Sequence, residues 1–426
     1  MNLTNSRTYI SLSTSLLTIK HTWKLRWVFF LASTSTLLSI PIIIKDGFGV
    51  GPAIGVGAFG FIVSIASIVV ELRNIKANND RLLFVPSPIF DHPDLRLNPW
   101  LERNGYSIKG KEAAMTVQSE AVNRFLASGG DAGFTLSNNY WKATQEITLD
   151  WRGKLLSEAR GLNRIIFDSK KIRLAQDLKI SRDGGLEVVE FQPTRYLEGF
   201  WTNEIASRDL KAESRTIFHG HTLFLHDDEV SPLEHSDCAN FLGVSTLLIG
   251  NGSLLPLVRQ SARSAQSASL AAPSGSGSVD LEDIHPGDTT LGQIICRGAE
   301  REMREEMGLA DDVKIKSQMI GFSRTMSRGG KPEFFCVSWL ESRNEKIELS
   351  KVEKLFTHHA DGISVDWGQN PADIAVQLLK VSSENKATYS YALQWALEFF
   401  ADALVSAPEN APFRQALKIH QEPHTI

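Results

Sequence analysis

Two long runs without a charged residue stand near the start of the chain, and they constrain it more than any other feature. Trp27 to Ile44 holds 18 uncharged residues and Gly47 to Val70 another 24. At a helical rise of about 1.5 Å per residue these reach about 27 and 36 Å, against a hydrocarbon core of about 30 Å. Helices buried in a protein core are seldom uncharged all round. A cleaved signal peptide fits poorly, because no small-residue cleavage site follows the first run. The reading is a two-helix transmembrane hairpin at about 27–44 and 49–70. Arg7, Lys20, Lys24 and Arg26 precede it, Arg73, Lys76 and Arg81 follow it, and the connection offers only Lys45. That bias places both termini in the cytoplasm.

Small residues recur every fourth position in the second run, as Gly47, Gly51 and Gly55 and as Gly49, Ala53 and Gly57. In lipid such rows let helix backbones approach closely. They predict either packing against the first span or a homo-oligomer assembled through the second. Gly55-x-Gly57-x-x-Gly60 matches a dinucleotide fingerprint as a string only, since no strand and turn precede it.

The remainder has ordinary globular composition. Over the whole chain 45 basic and 49 acidic residues leave a net charge of −4, which argues against a nucleic-acid partner. Cys238, Cys296 and Cys336 have no paired spacing, so neither a disulfide framework nor a CxxC zinc site is expected. Residues 81–235 read as a mixed α/β cytoplasmic extension, residues 236–380 as a second domain and 381–426 as a C-terminal helical segment. Ala113 to Leu126 has helical spacing and stops at Ser128-Gly129-Gly130. Asp183-Gly184-Gly185 marks a hairpin, and Ile217 to Leu225 a strand. Gly105-x4-Gly110-Lys111 lacks the hydroxyl residue that a phosphate loop needs next. His219 and His221 fall two apart, on one face of the expected strand, with His226 close by. Zinc would need a further ligand that the sequence does not supply, and a half-exposed sheet face is the simpler account.

The chemistry concentrates in Arg301-Glu302-Met303-Arg304-Glu305-Glu306-Met307-Gly308-Leu309, at the end of a helix expected from about Thr290 to Met307. Glu302, Glu305 and Glu306 are spaced i, i+3, i+4 and share one helix face, while Ala299, Met303 and Met307 form another that can pack on a sheet. Gly308 is placed to cap the end. The acids crowd the last turn and a half, where the helix dipole already concentrates negative charge. Stability alone would not choose this arrangement, whereas a bound Mg²⁺ or Mn²⁺ reverses its sign.

This segment resembles the box of the Nudix hydrolases, G-x5-E-x7-R-E-U-x-E-E-x-G-U, with U aliphatic. Gly287 takes the first glycine, Arg301 and Glu302 the central pair, Met303 the apolar place, Glu305 and Glu306 the doublet, and Gly308 with Leu309 the close. A chance match at its six polar and glycine positions is on the order of 10⁻⁵ for a chain this long. The resemblance implies an α/β architecture (the α+β Nudix fold, a mixed sheet between helices) over about 236–380. It implies that Glu302, Glu305 and Glu306 hold Mg²⁺ or Mn²⁺ against a diphosphate, and that Arg301 and Glu305 are catalytic. The stretch from Ala271 to Ser278 stands where the family places a glycine-rich loop. Gln293 replaces the first box Glu, which is expected to cost Arg301 a charged partner and to lower cation affinity. Glu333, Glu341, His358, His359 and Asp361 are the candidate bases.

A transmembrane hairpin, a cytoplasmic extension and a Nudix domain together resemble the transmembrane-Nudix effectors of cyclic-oligonucleotide-based antiphage signalling (CBASS) in bacteria. The resemblance implies a protein of the inner membrane, with the lipid bilayer and a cyclic nucleotide as partners. Ligand binding would drive oligomerisation through the second span and compromise the membrane. The alternative is a membrane-anchored, Mg²⁺-dependent hydrolase of a nucleoside diphosphate derivative.

Overall fold

The computed structural model describes residues 81–91, 95–111, 114–162, 164, 166, 168–249, 254–261, 267–340 and 357–421. The chain divides into two compact units. The smaller takes residues 81–85, 144–166 and 210–218, with the helix Gln145–Gly161 and most of a three-stranded sheet formed by Leu82–Pro86, Arg208–Ala212 and Arg215–His219.

The larger unit is built on a six-stranded sheet. Its strands are β1 (Tyr106–Lys109), β2 (Thr116–Ser119), β6 (Gly243–Ile249), β9 (Gly275–Ser278), β10 (Ile315–Thr325) and β11 (Lys331–Leu340), in the spatial order β9-β6-β11-β10-β2-β1. Only the β6–β11 pair is parallel; every other neighbour in this sheet runs antiparallel. A second sheet orders β8 (Ala271–Ala272), β7 (Leu254–Gln260) and β12 (Thr357–Ser364). A third orders β3 (Phe134–Leu136), β5 (Val189–Arg195) and β4 (Lys170–Leu174). Among its helices are α1 (Glu120–Ala127), α2 (Leu291–Met307), α3 (Pro371–Glu384), α4 (Tyr391–Ser406) and α5 (Pro412–Gln421), besides the short helices Pro99–Arg103 and Tyr196–Thr202.

Strand periodicity divides the core between the two faces of the large sheet. Leu247, Ile249, Phe335 and Val337 pack with Leu397, Phe399 and Phe400 of α4 and Phe413 of α5. Their neighbours of opposite parity, Leu248 and Leu340, pack with Met303 and Met307 of α2. The apolar stripe expected of α2 is thus its core face. The acid face, rotated from it about the same helix, is left for other contacts.

Residues before 236 are woven into the same unit. Strands β1 and β2 extend the large sheet, and Arg324 of β10 donates two hydrogen bonds to Asp177 at 3.0 and 3.1 Å. Both side chains of that ion pair are completely buried. Thr116–Ser119, expected as helix, forms β2 instead because all four residues are buried in pairing with β1 and β10; the helix starts at Glu120. Tertiary pairing overrides local helical spacing here. The turn at Asp183-Gly184-Gly185 is present, closed by Ser181 N–H to Gly185 O at 2.8 Å.

The expected membrane hairpin is corrected. Its two spans, 27–44 and 49–70, lie outside the described residues, as does the Gly55–Gly60 string. Among the described residues no helix is long and apolar enough to cross a membrane. The longest, α2 and Gln145–Gly161, have 17 residues each, about 26 Å of helix, and α2 carries Arg297, Glu300, Arg301, Glu302, Arg304, Glu305 and Glu306. The architecture is a mixed α+β one with several sheets. Inner-membrane, multi-pass placement with both termini cytoplasmic is withdrawn with the hairpin; the lipid bilayer as a partner and a homo-oligomer through the second run concern residues outside those described.

Candidate functional site

Helix α2 begins where its sequence says it should. Thr290 is the N-cap, and its hydroxyl accepts the Gln293 N–H at 3.4 Å. Gln293 returns the bond, its side-chain oxygen accepting from Thr289 N–H at 2.8 Å and Thr290 N–H at 3.0 Å. This reciprocal arrangement is a capping box. Gln293 and Arg301 are eight residues apart, about 12 Å along the axis. The expectation that Gln293 deprives Arg301 of a partner is therefore replaced by a local role: Gln293 closes the helix start. At the other end Gly308 caps in the left-handed region (φ 66°), donating its N–H to Arg304 O.

The glycines of the stretch from Ala271 to Ser278 fall on strand β9, and α2 lies directly against it. A Cβ on Gly275 would stand 2.5 Å from Met303 Cα, and one on Gly277 would stand 2.2 Å from the Glu302 carboxylate. Two glycines thus let the helix backbone and one of its acids occupy space that any side chain would fill. Glu306, only 6% exposed, accepts the Ser276 N–H at 2.8 Å and Gln260 Nε2–H at 3.3 Å. Glu302 and Glu306 therefore both reach β9, while Glu305 is half exposed.

Arg301 organises the acids. Its Nε and Nη2 donate to the two oxygens of Asp283 at 3.0 Å each, and Nη2 also donates to Ser278 O at 3.0 Å. Its Nη1 donates to Glu302 at 2.8 Å and to Glu305 at 3.4 Å. Asp280 stands 3.6 Å away and is paired with Lys171 of β4. Burial alone would lower the Arg301 pKa, but Asp283, Glu302 and Asp280 raise it, so the guanidinium stays charged. Glu305 is pushed above the usual carboxylate range, first by burial and then by Glu302, with Arg301 opposing and Asp280 and Asp283 adding. Negative charge exceeds positive charge here: Asp280, Asp283, Glu302 and Glu305 share Arg301 and Lys171.

The structure brings Glu302 and Glu305 together on Arg301, whereas Glu306 is turned to Ser276 and Gln260. This donor set suits a hard divalent cation. The ligands are carboxylate oxygens, they repel one another, and Glu305 is open to solvent for a phosphate or water to complete the shell.

The candidate bases separate. Glu333 has the strand parity of Phe335 and so belongs to the sheet face opposite α2. Its carboxylate accepts from Ser245 Oγ at 2.7 Å and lies 3.5 Å from the buried Lys331 ammonium. His358, His359 and Asp361 fall on β12, of which residues 357–361 are described by backbone only; Thr357 pairs with Gln260 and His359 with Val258. Glu341 lies outside the described residues.

Sequence reasoning missed Asp280, Asp283, Lys171 and Gln260. One local signal was present: Asp280 and Asp283 form a capping box of their own, with Asp280 N–H donating to Asp283 at 2.8 Å.

No protein-family model matches this chain, and no curated protein matches it. Among solved structures, the crystal structure of DR0079 from Deinococcus radiodurans is similar over 32% of this chain and 73% of its own. The identity is 18% and the TM-score 0.20, a likeness too slight to bear on fold or function.

Proposed function

We propose that the acid face of α2 is a Nudix-type site at which a nucleoside diphosphate derivative is bound with Mg²⁺ or Mn²⁺ and hydrolysed. One observation carries the reading. Glu302 and Glu306 are seated on a glycine strand that leaves room for them, in a cluster whose charge Arg301 and Lys171 do not neutralise. Building space for repelling carboxylates costs stability, and a divalent cation is what offsets it.

Glu302, Glu305 and Glu306 would hold the cation. Bound there, it supplies charge neutralisation for a diphosphate and acidifies a coordinated water. The chain's own residues set the geometry. Asp283 and Ser278 O fix the Arg301 fork, and the remaining Arg301 amine orients Glu302 and Glu305. Glu305, the exposed member, is the carboxylate best placed to meet a phosphate-bearing ligand or to take a proton from water. The box match is complete at the acid triplet, and Gln293 is used as a helix cap. The substitution therefore does not count against turnover. With the hairpin withdrawn, no observation favours a membrane-permeabilising effector over a hydrolase.

The test is hydrolysis by the full chain of a panel of nucleoside diphosphate derivatives, dinucleoside polyphosphates included, with Mg²⁺ and with Mn²⁺. Metal-dependent release of a nucleoside monophosphate, abolished by Glu305→Gln while the fold is retained, supports the proposal. A chain that binds no Mn²⁺ by magnetic resonance titration and releases no product ends it. Tight binding of a cyclic nucleotide without turnover would transfer the site to a sensor.

A further inference from the structure

Away from α2, three side chains of the larger unit converge with the chemistry of a different metal site. Asp209 lies on the strand Arg208–Ala212, His219 ends the strand Arg215–His219, and His221 follows on the 3-10 turn Gly220–Leu223. The strand stops at His219, so the two histidines do not share a strand face. They close on Asp209 instead. His219 Nδ1 lies 3.2 Å from one Asp209 oxygen and His221 Nδ1 lies 4.0 Å from the other. One ligand atom from each of the three residues falls within 4.8 Å of the others.

The carboxylate is the telling member. Asp209 is 4% exposed, and its Oδ1 is buried without a hydrogen-bond partner. An orphaned buried carboxylate oxygen costs the fold its hydration, and a positive charge beside it is what restores the balance. His221 Nδ1 also lies 3.2 Å from Ser87 Oγ.

The surrounding chain is fixed. A Cβ on Gly220, between the histidines, would stand 1.9 Å from Ile205 O and 2.3 Å from Arg208 O. The turn is therefore pressed against the segment that carries Asp209. Ligand atoms at about 2.0–2.1 Å from one ion lie about 3.0–3.4 Å apart; His219 and Asp209 already stand at 3.2 Å, and His221, at 4.0 Å, has to move closer. His219 has a half-exposed side chain and leaves one side open to solvent.

We propose that Asp209, His219 and His221 bind a divalent transition-metal ion, Zn²⁺ in the first instance, with a remaining coordination position facing solvent. Two imidazoles and one carboxylate select a borderline-soft cation over Mg²⁺ or Ca²⁺, so this site is chemically distinct from the acid face of α2 and does not depend on it. Ion binding would tie the Arg208–Ala212 strand to the turn after His219 and stabilise the fold by mass action.

The experiment is calorimetric titration of Zn²⁺ into the chelator-stripped full chain in saturating Mg²⁺, with Co²⁺ as a spectroscopic probe. One equivalent of Zn²⁺ is expected to bind and to raise the melting temperature, and Co²⁺ to develop visible ligand-field bands. His219→Ala, at a position whose side chain is half exposed, should weaken Zn²⁺ by about tenfold or more and remove the bands. His221→Ala should do the same, while His235→Ala, which is not one of the three ligands, should change neither. Failure of the unaltered chain to bind Zn²⁺, or binding that both variants retain, overturns the proposal. Because Asp209→Asn risks the fold itself, the histidine variants decide the matter.

Discussion

Arg301 and Asp283 meet side-on, with Nε and Nη2 of the guanidinium each 3.0 Å from one oxygen of a nearly buried carboxylate. The pair joins the acid-bearing end of α2 to the turn that precedes the helix. It also holds the guanidinium in place, so that a single amine, Nη1, is left for Glu302 and Glu305. Bidentate arginine–carboxylate pairs add direction as well as energy, and this one determines how the site's acids are arranged.

Asp283→Ala should therefore damage both fold and site. The Arg301 side chain is about a quarter exposed, so the loss is set at about 1–3 kcal/mol rather than the larger cost of a fully buried ion. The released guanidinium would move onto Glu302 and Glu305 and compete with a cation. Urea unfolding and Mn²⁺ titration on the same variant should show lower stability together with about tenfold weaker metal binding.

The two glycines of β9 should behave differently. Gly275→Ala drives a Cβ into the Met303 backbone, which cannot yield without moving α2, and should cost about 1–3 kcal/mol. Gly277→Ala meets the Glu302 carboxylate, the far end of a side chain that can rotate away. Its stability should stay within about 1 kcal/mol of the unaltered chain, while Mn²⁺ binding and any diphosphate hydrolysis fall sharply. Melting temperatures and metal titrations of the two variants, compared side by side, check this contrast.

Gln293→Glu restores the residue that the Nudix pattern has at this place. In this fold a Glu would accept the same Thr289 and Thr290 N–H groups, with the benefit of the helix dipole. The expected result is a gain of about 0.3–1 kcal/mol in denaturant unfolding, with Mn²⁺ affinity changed by less than about twofold. A large rise in metal affinity would mean that position 293 communicates with Arg301 over the length of the helix.

Glu300 supplies a pH signature. Burial lifts its carboxyl to about 7, against a hydrogen bond from Ser317 and the charges of Arg304 and Arg297. The Ser317 hydroxyl bonds Ser338 Oγ at 2.7 Å, which bonds Thr246 Oγ1 at 2.6 Å, so the carboxyl ends a row of hydroxyls crossing three strands. The folded group holds its proton to higher pH than the unfolded one, whose ordinary value is 4.5. Stability should fall as pH rises from about 4.5 through 7, because ionisation is then opposed only in the folded state. Glu300→Gln should flatten that slope in urea midpoints taken across the interval.

How far the sequence could be read depends on how local each feature is. The Thr290 cap, the Gly308 stop, the Met303 and Met307 core stripe and the Asp183-Gly184-Gly185 turn all follow from contacts within a few residues. Each is present. Thr116–Ser119 has helical spacing, but local spacing says nothing of the strand partners on β1 and β10. A family pattern gives Gln293 only a place in the box, and the hydrogen bonds of the helix start reveal its use as a cap. Lys171 and Asp280 are far apart in the chain, and no spacing rule joins them.

By itself the sequence determined α2: where it starts and stops, which face is apolar, and that Glu302, Glu305 and Glu306 share another. A helix's periodicity and capping chemistry are properties of contiguous residues. Tertiary structure decided what those acids meet. Strand β9 offers glycines beneath them, Asp283 and Ser278 O hold Arg301, and Asp209 finds His219 and His221 across a strand connection. It also overruled the membrane reading of this chain, among the described residues, in favour of sheets covered by short charged helices. Such contacts are selected by the packing of segments distant in sequence, and that packing depends on the shape and burial of the whole unit.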